Sequence, residues 1–295
     1  MNAVPTIAET LKRAALALHP HSESPRLDAE LLLGKVLKLS RSALAAHDDE
    51  SVAAADELRL AELITERAQG APIAYLTGSR EFWSLPLLVT PDVLVPRPET
   101  EILVQHALEL LPQDAAISVL DLGTGSGAIA LSLATERPRW SITAVDVSPE
   151  ALAVAAQNAR ALELTHIDWH LGSWFETLGA RRFHMIVSNP PYIAATDPAL
   201  KTLSAEPALA LTAGPTGLES YELIIAQSPL HLEAHGWLVL EHGSTQAPEV
   251  SRLLAQHGFE SIRTIPDFSG KPRVTLGLHS QPRVTPGVHS HQGTS

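Results

Sequence analysis

Residues 118–127 read Ser-Val-Leu-Asp-Leu-Gly-Thr-Gly-Ser-Gly, a short apolar run that ends in three alternating glycines. The run over 118–122 predicts a buried strand, and the pattern over 128–134 predicts a helix directly after the glycines. Glycine suits this connection because the backbone must turn sharply and let a ligand approach closely. Taken alone, the loop is also compatible with an ordinary turn between a strand and a helix.

Strand and helix patterns alternate along the chain from about residue 100. Strands are predicted at 118–122, 141–145, 166–171, 183–188, 236–241, 259–265 and 273–278. Helices are predicted at 128–134, 149–162, 218–230 and 246–257. Such alternation predicts an α/β fold with an open, mostly parallel sheet, helices on both faces and ligand sites at the carboxyl ends of the strands.

The first hundred residues have a different pattern. Residues 1–70 place leucines at helical spacing, and polar breaks at 19–22 and 46–49 predict a bundle of four or five helices. Short β-prone runs then lie between prolines and glycines, which predicts a hairpin-like connector. These runs are residues 73–76, 82–83 and 87–89.

Composition restricts the classes of function. The 295 residues include no cysteine, which excludes disulfides, thiolate metal sites and a cysteine nucleophile, and favours a cytoplasmic location. No apolar run reaches the roughly 18 residues needed to cross a bilayer, and the N-terminus resembles a helix rather than a signal peptide. The formal charge of −12 disfavours direct nucleic-acid binding, because phosphate binding requires clustered Lys and Arg.

An acidic residue supports a ligand-binding role for the glycine loop. Asp146 ends the next predicted strand, nineteen residues beyond Gly127. A carboxylate there can accept hydrogen bonds from both ribose hydroxyls of a nucleoside lying across the strand ends. The Gly-x-Gly-x-Gly spacing differs from that of dinucleotide sites, and no Walker Lys-Ser/Thr is present. A compact nucleoside such as S-adenosylmethionine therefore fits best.

Residues 187–193, Val-Ser-Asn-Pro-Pro-Tyr-Ile, are expected at the same sheet edge. Asn189 precedes a proline and adopts extended backbone, and the two prolines carry no N–H. The Asn189 side-chain oxygen and the Pro190 carbonyl can accept both hydrogens of a planar –NH2 group, while Tyr192 covers its flat face. This arrangement suits methylation of an amide or exocyclic amine, whose nitrogen is weakly nucleophilic. The alternative is that the motif only terminates a strand.

Several segments together resemble the HemK/PrmC family, S-adenosylmethionine-dependent glutamine N5-methyltransferases that modify class I peptide-chain release factors. The matching segments are residues 72–78, 80–83, 96–101, 121–127, 187–193, 206–207 and 270–277. The resemblance covers roughly residues 5–278. It implies a class I methyltransferase domain with a Rossmann-like, mostly parallel seven-stranded sheet, preceded by a helical bundle and a β-hairpin connector. The enzyme is expected to be a cytoplasmic monomer.

The chain is accordingly divided into four segments. They are a helical substrate-recognition domain over 1–71, a hairpin connector over 72–98, a methyltransferase domain over 99–279 and a tail over 280–295. The tail nearly repeats the segment 272–280, but Pro286 stands where the first copy has Leu276 and removes a ladder donor, so the tail is expected to be disordered. Its histidines are expected to be solvated, and no metal site is expected.

The resemblance also assigns roles to individual residues. The cofactor would contact Gly123, Thr124, Gly125, Ser126, Gly127, Asp146, Trp174 and Asn189. The acceptor amide would contact Asn189, Pro190, Pro191 and Tyr192, of which Asn189, Pro190 and Tyr192 are the expected catalytic residues. The sequence departs from the family at Ser173, where an acidic residue is expected to meet the adenine amino group. Arg97, Glu99 and Glu101 either line the site entrance or only cap a helix.

The acceptor is the least determined part of the prediction. Asn-Pro-Pro-Tyr is shared with methyltransferases of DNA adenine and ribosomal RNA guanine, whereas the segment 96–101 is more selective. By resemblance, the acceptor is the glutamine of the Gly-Gly-Gln motif in release factors. The alternatives are a glutamine of a ribosomal protein, an exocyclic amine of a nucleic acid, and an interaction module that binds the cofactor without catalysis.

Overall fold

The computed structural model describes residues 4–280. The helices are α1 Ile7–Leu18, α2 Pro25–Leu37, α3 Arg41–Ala46, α4 Ala54–Ala68, α5 Ile73–Thr77, α6 Thr100–Leu110, α7 Ala128–Glu136, α8 Pro149–Ala161, α9 Ala199–Thr202, α10 Ala208–Leu211, α11 Glu219–His231 and α12 Ala247–Gln256. The strands are β1 Ser79–Phe82, β2 Leu85–Leu88, β3 Ser118–Leu122, β4 Ser141–Asp146, β5 Asp168–Leu171, β6 Phe183–Ser188, β7 Ile193–Ala194, β8 Thr212–Gly214, β9 Leu232–Glu241, β10 Phe259–Pro266 and β11 Pro272–His279.

The chain divides into two compact units. Within the described residues, one comprises 4–96 together with Thr196–Leu211, and the other comprises Arg97–Ala195 and 212–280. The grouping of 196–211 with the N-terminal unit was not anticipated from the sequence. The division at 1–71, 72–98 and 99–279 stays a prediction, and the tail from 281 onward lies outside the described residues.

The N-terminal unit is helical, as the leucine spacing predicted. Helix α1 begins with a capping box, in which the Thr6 hydroxyl accepts from the Glu9 N–H and the Glu9 carboxylate accepts from the Thr6 N–H. The apolar faces of α1 to α4 form one buried cluster. Its members are Ile7, Leu11, Ala14, Leu18, Ala29, Leu32, Leu33, Leu44, Val52 and Leu60.

One prediction in this unit was wrong. Residues 73–76 form helix α5 rather than a strand. Pro72 stands at its N-cap, and Gly78 ends it in the left-handed region at φ +77°. Ile73 and Leu76 pack against the helical cluster, so tertiary burial overrides their β propensity. The predicted hairpin follows as the antiparallel pair β1 and β2.

The second unit contains a seven-stranded sheet in the order β10-β11-β9-β6-β3-β4-β5. Strands β9, β6, β3, β4 and β5 run parallel, and β11 pairs antiparallel with both β9 and β10. The α/β fold with a mostly parallel seven-stranded sheet is therefore confirmed. The predicted strand at 236–241 begins earlier, at Leu232, and contains His235 at φ +61°.

The register brings the predicted site loops to one edge. Leu122 of β3 pairs with Val145 of β4 on one side and with Ser188 of β6 on the other. The Ser188 hydroxyl donates to the Leu122 carbonyl at 2.7 Å, which ties the ends of β3 and β6 together. The next strand is also aligned, because Ser188 pairs with Leu240 of β9. The segments that follow these four strands consequently leave the sheet side by side.

Candidate active site

The glycine loop adopts backbone conformations that other residues rarely tolerate. Gly125 has φ +56°, and no described heavy atom lies within 4 Å of a Cβ built on it. Gly127 has φ +84°, and a Cβ there would lie 2.9 Å from the Leu131 side chain and 3.2 Å from Ala155. Gly125 therefore leaves open space beside the loop, whereas Gly127 permits close packing of α7 and α8.

A buried carboxyl, that of Asp121, holds the glycine loop through hydrogen bonds. Asp121 is fully buried, and its Oδ2 accepts from the Thr124 hydroxyl at 2.7 Å and the Ala130 N–H at 3.2 Å. Its Oδ1 has no hydrogen-bond partner among the described residues. Burial raises the pKa of Asp121 to about 7. Asp121 belongs to the segment 121–127, but its hydrogen bonds to the loop and to α7 were not predicted from the sequence.

A second buried residue, Asn158 of α8, donates from Nδ2 to the Ser126 carbonyl at 2.9 Å. No sequence spacing connects an isolated helical asparagine with the loop, so the sequence could not indicate this contact. The side chains of Thr124 and Ser126 are themselves buried. Their contact with a cofactor stays a prediction, and this burial favours contact through the backbone.

Asp146 lies at the end of β4, as predicted. Its Oδ2 accepts from the Gly125 N–H at 2.8 Å, and its Oδ1 accepts from the Ser148 N–H at 2.9 Å. Burial raises its pKa, and these hydrogen bonds oppose the rise. Each oxygen of an ionised carboxylate has a further acceptor site. The carboxylate can thus hold the loop and still accept from two ribose hydroxyls.

Trp174 lies on the same side as the loop. A Cβ built on Gly123 would lie 3.8 Å from the Trp174 ring, and the partly buried ring packs against the apolar core. Ser173, where an acidic residue was expected, donates from its N–H to the Glu176 carboxylate at 3.2 Å. An acidic side chain is therefore present close to Ser173, although three positions later in the chain.

The Asn-Pro-Pro-Tyr loop begins directly after β6. Asn189 Nδ2 donates to the Thr100 hydroxyl at 3.2 Å, whereas Oδ1 receives no hydrogen bond from the part of the chain that the structure describes. Pro190 is buried, and Tyr192 packs against the core. Burial raises the pKa of Tyr192 to about 12, so its phenol is neutral at physiological pH. Asn189 thus keeps an acceptor free at the edge.

Gln246 anchors the far end of this loop. Its Nε2 donates to the carbonyls of Tyr192 and Gly217, both at 3.0 Å, while its Oε1 accepts from the Gly243 N–H at 2.9 Å. The sequence did not identify Gln246, because a lone glutamine before a helix carries no pattern. One side chain therefore joins three separate segments around the predicted acceptor site.

Glu241 is a third residue that the sequence did not identify. It ends β9, is 2% exposed, and has a pKa that burial raises to about 7. Hydrogen bonding from Thr100 and Asn189 opposes that rise. Its Oε2 has no partner within residues 4–280. The predicted entrance role of Arg97, Glu99 and Glu101 stays a prediction.

The pKa of Asp121 leads to a prediction about stability. Because its folded pKa is about 7 and its ordinary value 3.8, the folded protein retains a proton that the unfolded chain loses. The free energy of unfolding of the ligand-free protein should therefore fall as pH rises from about 4 to 7. Urea titrations at a series of pH values should show that the free energy of unfolding falls less steeply with pH in D121N than in the unmodified protein.

The control for this experiment is D267N. Hydrogen bonds from Ser269, Lys271 and Arg273 lower the pKa of Asp267, so its contribution changes only below about pH 4. D267N should leave the slope between pH 5 and 7 unaltered. An equal slope in D121N and the unmodified protein would show that Asp121 ionises normally in the fold.

Comparison with known proteins agrees with this geometry. Residues 9–78 match the family described as "PrmC N-terminal domain", and residues 98–214 match "Methyltransferase small domain". The chain is 44% identical over 271 residues to a release factor glutamine methyltransferase of Coxiella burnetii, covering 92% of this chain and 98% of that protein. A Pseudomonas aeruginosa protein of the same name is 47% identical over 274 residues, with the same two coverages.

The chain belongs to the release factor glutamine methyltransferase family. The resemblance proposed from the sequence is thereby confirmed, and so is the assignment to methyltransferase enzymes. A solved methyltransferase structure from Pyrococcus furiosus superposes with a TM-score of 0.52 at 17% identity, covering 67% of this chain and 90% of that chain. That likeness supports the fold. No helix within the described residues is long and apolar enough to cross a membrane.

Proposed function

We propose that this protein transfers a methyl group from S-adenosylmethionine to the side-chain amide nitrogen of the Gly-Gly-Gln glutamine in class I release factors. The observation that carries the proposal is the free Asn189 Oδ1, which lies at the sheet edge that also holds the glycine loop and Asp146. The names of the relatives support a release factor as the substrate.

The residues around the glycine loop fit S-adenosylmethionine. The open space beside Gly125 accommodates a ligand against the backbone, and Asp146 offers two acceptors for ribose hydroxyls. Trp174 offers an apolar ring beside the loop. When bound, S-adenosylmethionine supplies a methyl group on an electrophilic sulfonium. The protein's own contribution is to hold the acceptor nitrogen.

Holding that nitrogen is a problem of hydrogen bonding. An amide lone pair is delocalised into the carbonyl and is a poor nucleophile. Asn189 Oδ1 and the Pro190 carbonyl accept hydrogen bonds from the two N–H groups of the substrate amide, which orients the nitrogen and fixes its position. Both hydrogen bonds strengthen as positive charge develops on the nitrogen, so they stabilise the transition state more than the ground state. The surplus proton then leaves to water.

The assay uses labelled S-adenosylmethionine with purified release factor, a ribosomal protein or RNA as the acceptor. We expect label only in the release factor, and none when its Gly-Gly-Gln glutamine is replaced by alanine. Label in the ribosomal protein or in RNA instead would contradict the proposed substrate. We also propose that the protein acts in the cytoplasm, because its proposed substrates are translation factors. We further propose that it acts as a monomer.

Gln246→Glu tests the anchoring of the Asn-Pro-Pro-Tyr loop. The exchange keeps the acceptor for Gly243 but places a carboxylate oxygen against the carbonyls of Tyr192 and Gly217. We expect kcat to fall about tenfold while the cofactor Kd changes little, since the two part-buried hydrogen bonds from Nε2 are replaced by repulsion between oxygen atoms. The control is Gln105→Glu, an exposed position of α6. Equal kcat in both variants would argue against anchoring.

A further inference from the structure

The carboxyl of Glu241 lies beside the acceptor-binding asparagine. Because Ser188 of β6 pairs with Leu240 of β9, the next residues along these parallel strands, Asn189 and Glu241, are neighbours at the sheet edge, where Glu241 also pairs with Val274 of β11. Glu241 is 2% exposed, and its Oε2 has no partner among the described residues. A carboxyl placed here is costly, because burial disfavours its ionised form.

Stability does not explain this carboxyl. Charged residues face it at Glu99 and Arg273, but neither makes a hydrogen bond to it within the described chain. Replacing a buried polar residue by an apolar one of similar volume is often neutral or stabilising. A buried carboxyl with one unsatisfied oxygen therefore points to a role in the site, since native structures satisfy nearly all such groups.

The contacts of Glu241 converge on one amide. Side-chain hydrogen bonding from Thr100 and Asn189 lowers the pKa of the Glu241 carboxyl against the effect of burial, which indicates that both side chains lie beside it, and Thr100 Oγ1 accepts from Asn189 Nδ2 at 3.2 Å. A hydroxyl that donates its one hydrogen to a carboxylate can only accept from a third group. An ionised Glu241 that accepts from Thr100 leaves Thr100 as an acceptor for Asn189, so that Nδ2 faces acceptors on the protein side.

This arrangement determines which end of the asparagine faces outward. The oxygen and nitrogen ends of an amide have nearly the same shape, so packing alone does not distinguish them. In the inverted orientation, the Asn189 NH2 group would face the NH2 group of the substrate amide. Two N–H donors would then oppose each other, and no hydrogen bond would form between them. Two acceptors on the protein side, an ionised Glu241 and Thr100, favour the observed orientation over the inverted one.

We propose that Glu241 is a positioning residue that acts directly and through Thr100 to hold the Asn189 amide with Oδ1 towards the substrate. The part of this inference that concerns catalysis rests on the proposed function, because it assumes that Asn189 Oδ1 binds the –NH2 group of a substrate amide. The orientation of Asn189 does not rest on it. The two parts can therefore be tested separately.

The test compares E241M, which fills the volume without an acceptor, with E241Q, which keeps an acceptor oxygen. In the release-factor assay we expect E241M to lower kcat about 30-fold and E241Q to stay within about fivefold, as befits loss or retention of a buried hydrogen bond. The cofactor Kd should change less than about threefold in both, because the loop and Asp146 are untouched.

A second readout is independent of activity. Hydrogen exchange of the Asn189 side-chain NH2, followed by 15N NMR, should be slow in the unmodified protein and in E241Q and fast in E241M. The structural control is Y221F, which removes only the hydrogen bond from the Tyr221 hydroxyl to the Glu241 backbone carbonyl at 3.1 Å. Y221F should lower stability without changing kcat or Asn189 exchange.

The outcomes separate the possibilities. Normal kcat and slow exchange in E241M would overturn the positioning role, and so would equal losses in E241M and Y221F. If E241M does not fold, T100V carries the test, with the same reduced kcat and fast exchange expected. If the unmodified protein methylates no release factor but the exchange pattern holds, the proposed function fails and the orientation of Asn189 stands.

Discussion

Asn189→Ala should all but abolish methyl transfer to the release factor, with kcat about a hundred- to a thousandfold lower, as when one preorganised oxyanion-hole group is lost. The variant removes the acceptor Oδ1, so one N–H of the substrate amide is no longer fixed and the nitrogen is no longer held in position. Single-turnover transfer of labelled methyl measures the loss. Much of the cofactor binding should remain, because the loop and Asp146 are unchanged.

The control for Asn189→Ala is Ser118→Ala at the amino end of β3. It removes a hydrogen bond between the Ser118 hydroxyl and His184 Nδ1 at 2.9 Å, on the same pair of strands but away from the site edge. Ser118→Ala should methylate normally. Normal turnover in Asn189→Ala would contradict both the catalytic assignment and the proposed reaction.

Asp146→Asn should have the second largest effect, and it should act on binding rather than on turnover. The amide replaces one carboxylate oxygen by an NH2 donor, which cannot accept from the Gly125 N–H or from a ribose hydroxyl. The cofactor Kd should rise about 10- to 100-fold, since a hydrogen bond to a charged acceptor is lost. At saturating cofactor, kcat should recover most of its normal value.

Asp168→Asn is the matched control for this binding experiment. Asp168 begins β5, whereas Asp146 ends β4, so the two carboxylates lie at opposite ends of paired strands. Asp168 pairs with Arg181 at 2.7 Å on the surface and should not influence the cofactor Kd. Calorimetric titration of both variants checks the difference. An unchanged Kd in Asp146→Asn would remove Asp146 from the nucleoside site.

Prediction from the sequence worked where a pattern is local. The apolar run at 118–122 and the glycines after it predict a strand and a sharp turn. The run at 183–188 and the prolines that follow it predict the end of a strand. It failed at 73–76, where apolar residues of strand-like composition pack as a helix against a bundle. Propensity in such a short run is weaker than tertiary burial.

The supporting residues of the site were beyond prediction for a physical reason. Asn158, Gln246 and Glu241 are single polar residues without periodicity, and each acts on a segment distant in the chain. Their partners are determined by the strand order, which places β9 beside β6 and β6 beside β3. Local composition carries no information about that order.

The amino-acid sequence is therefore sufficient to predict which chemical groups the site binds. A glycine loop, a carboxylate and Asn-Pro-Pro-Tyr specify a nucleoside and an –NH2 group, because these are properties of short segments. Only the tertiary structure decides how Asn189 is oriented. That orientation depends on Glu241 and Thr100, which the sheet register brings to the same edge from distant parts of the chain.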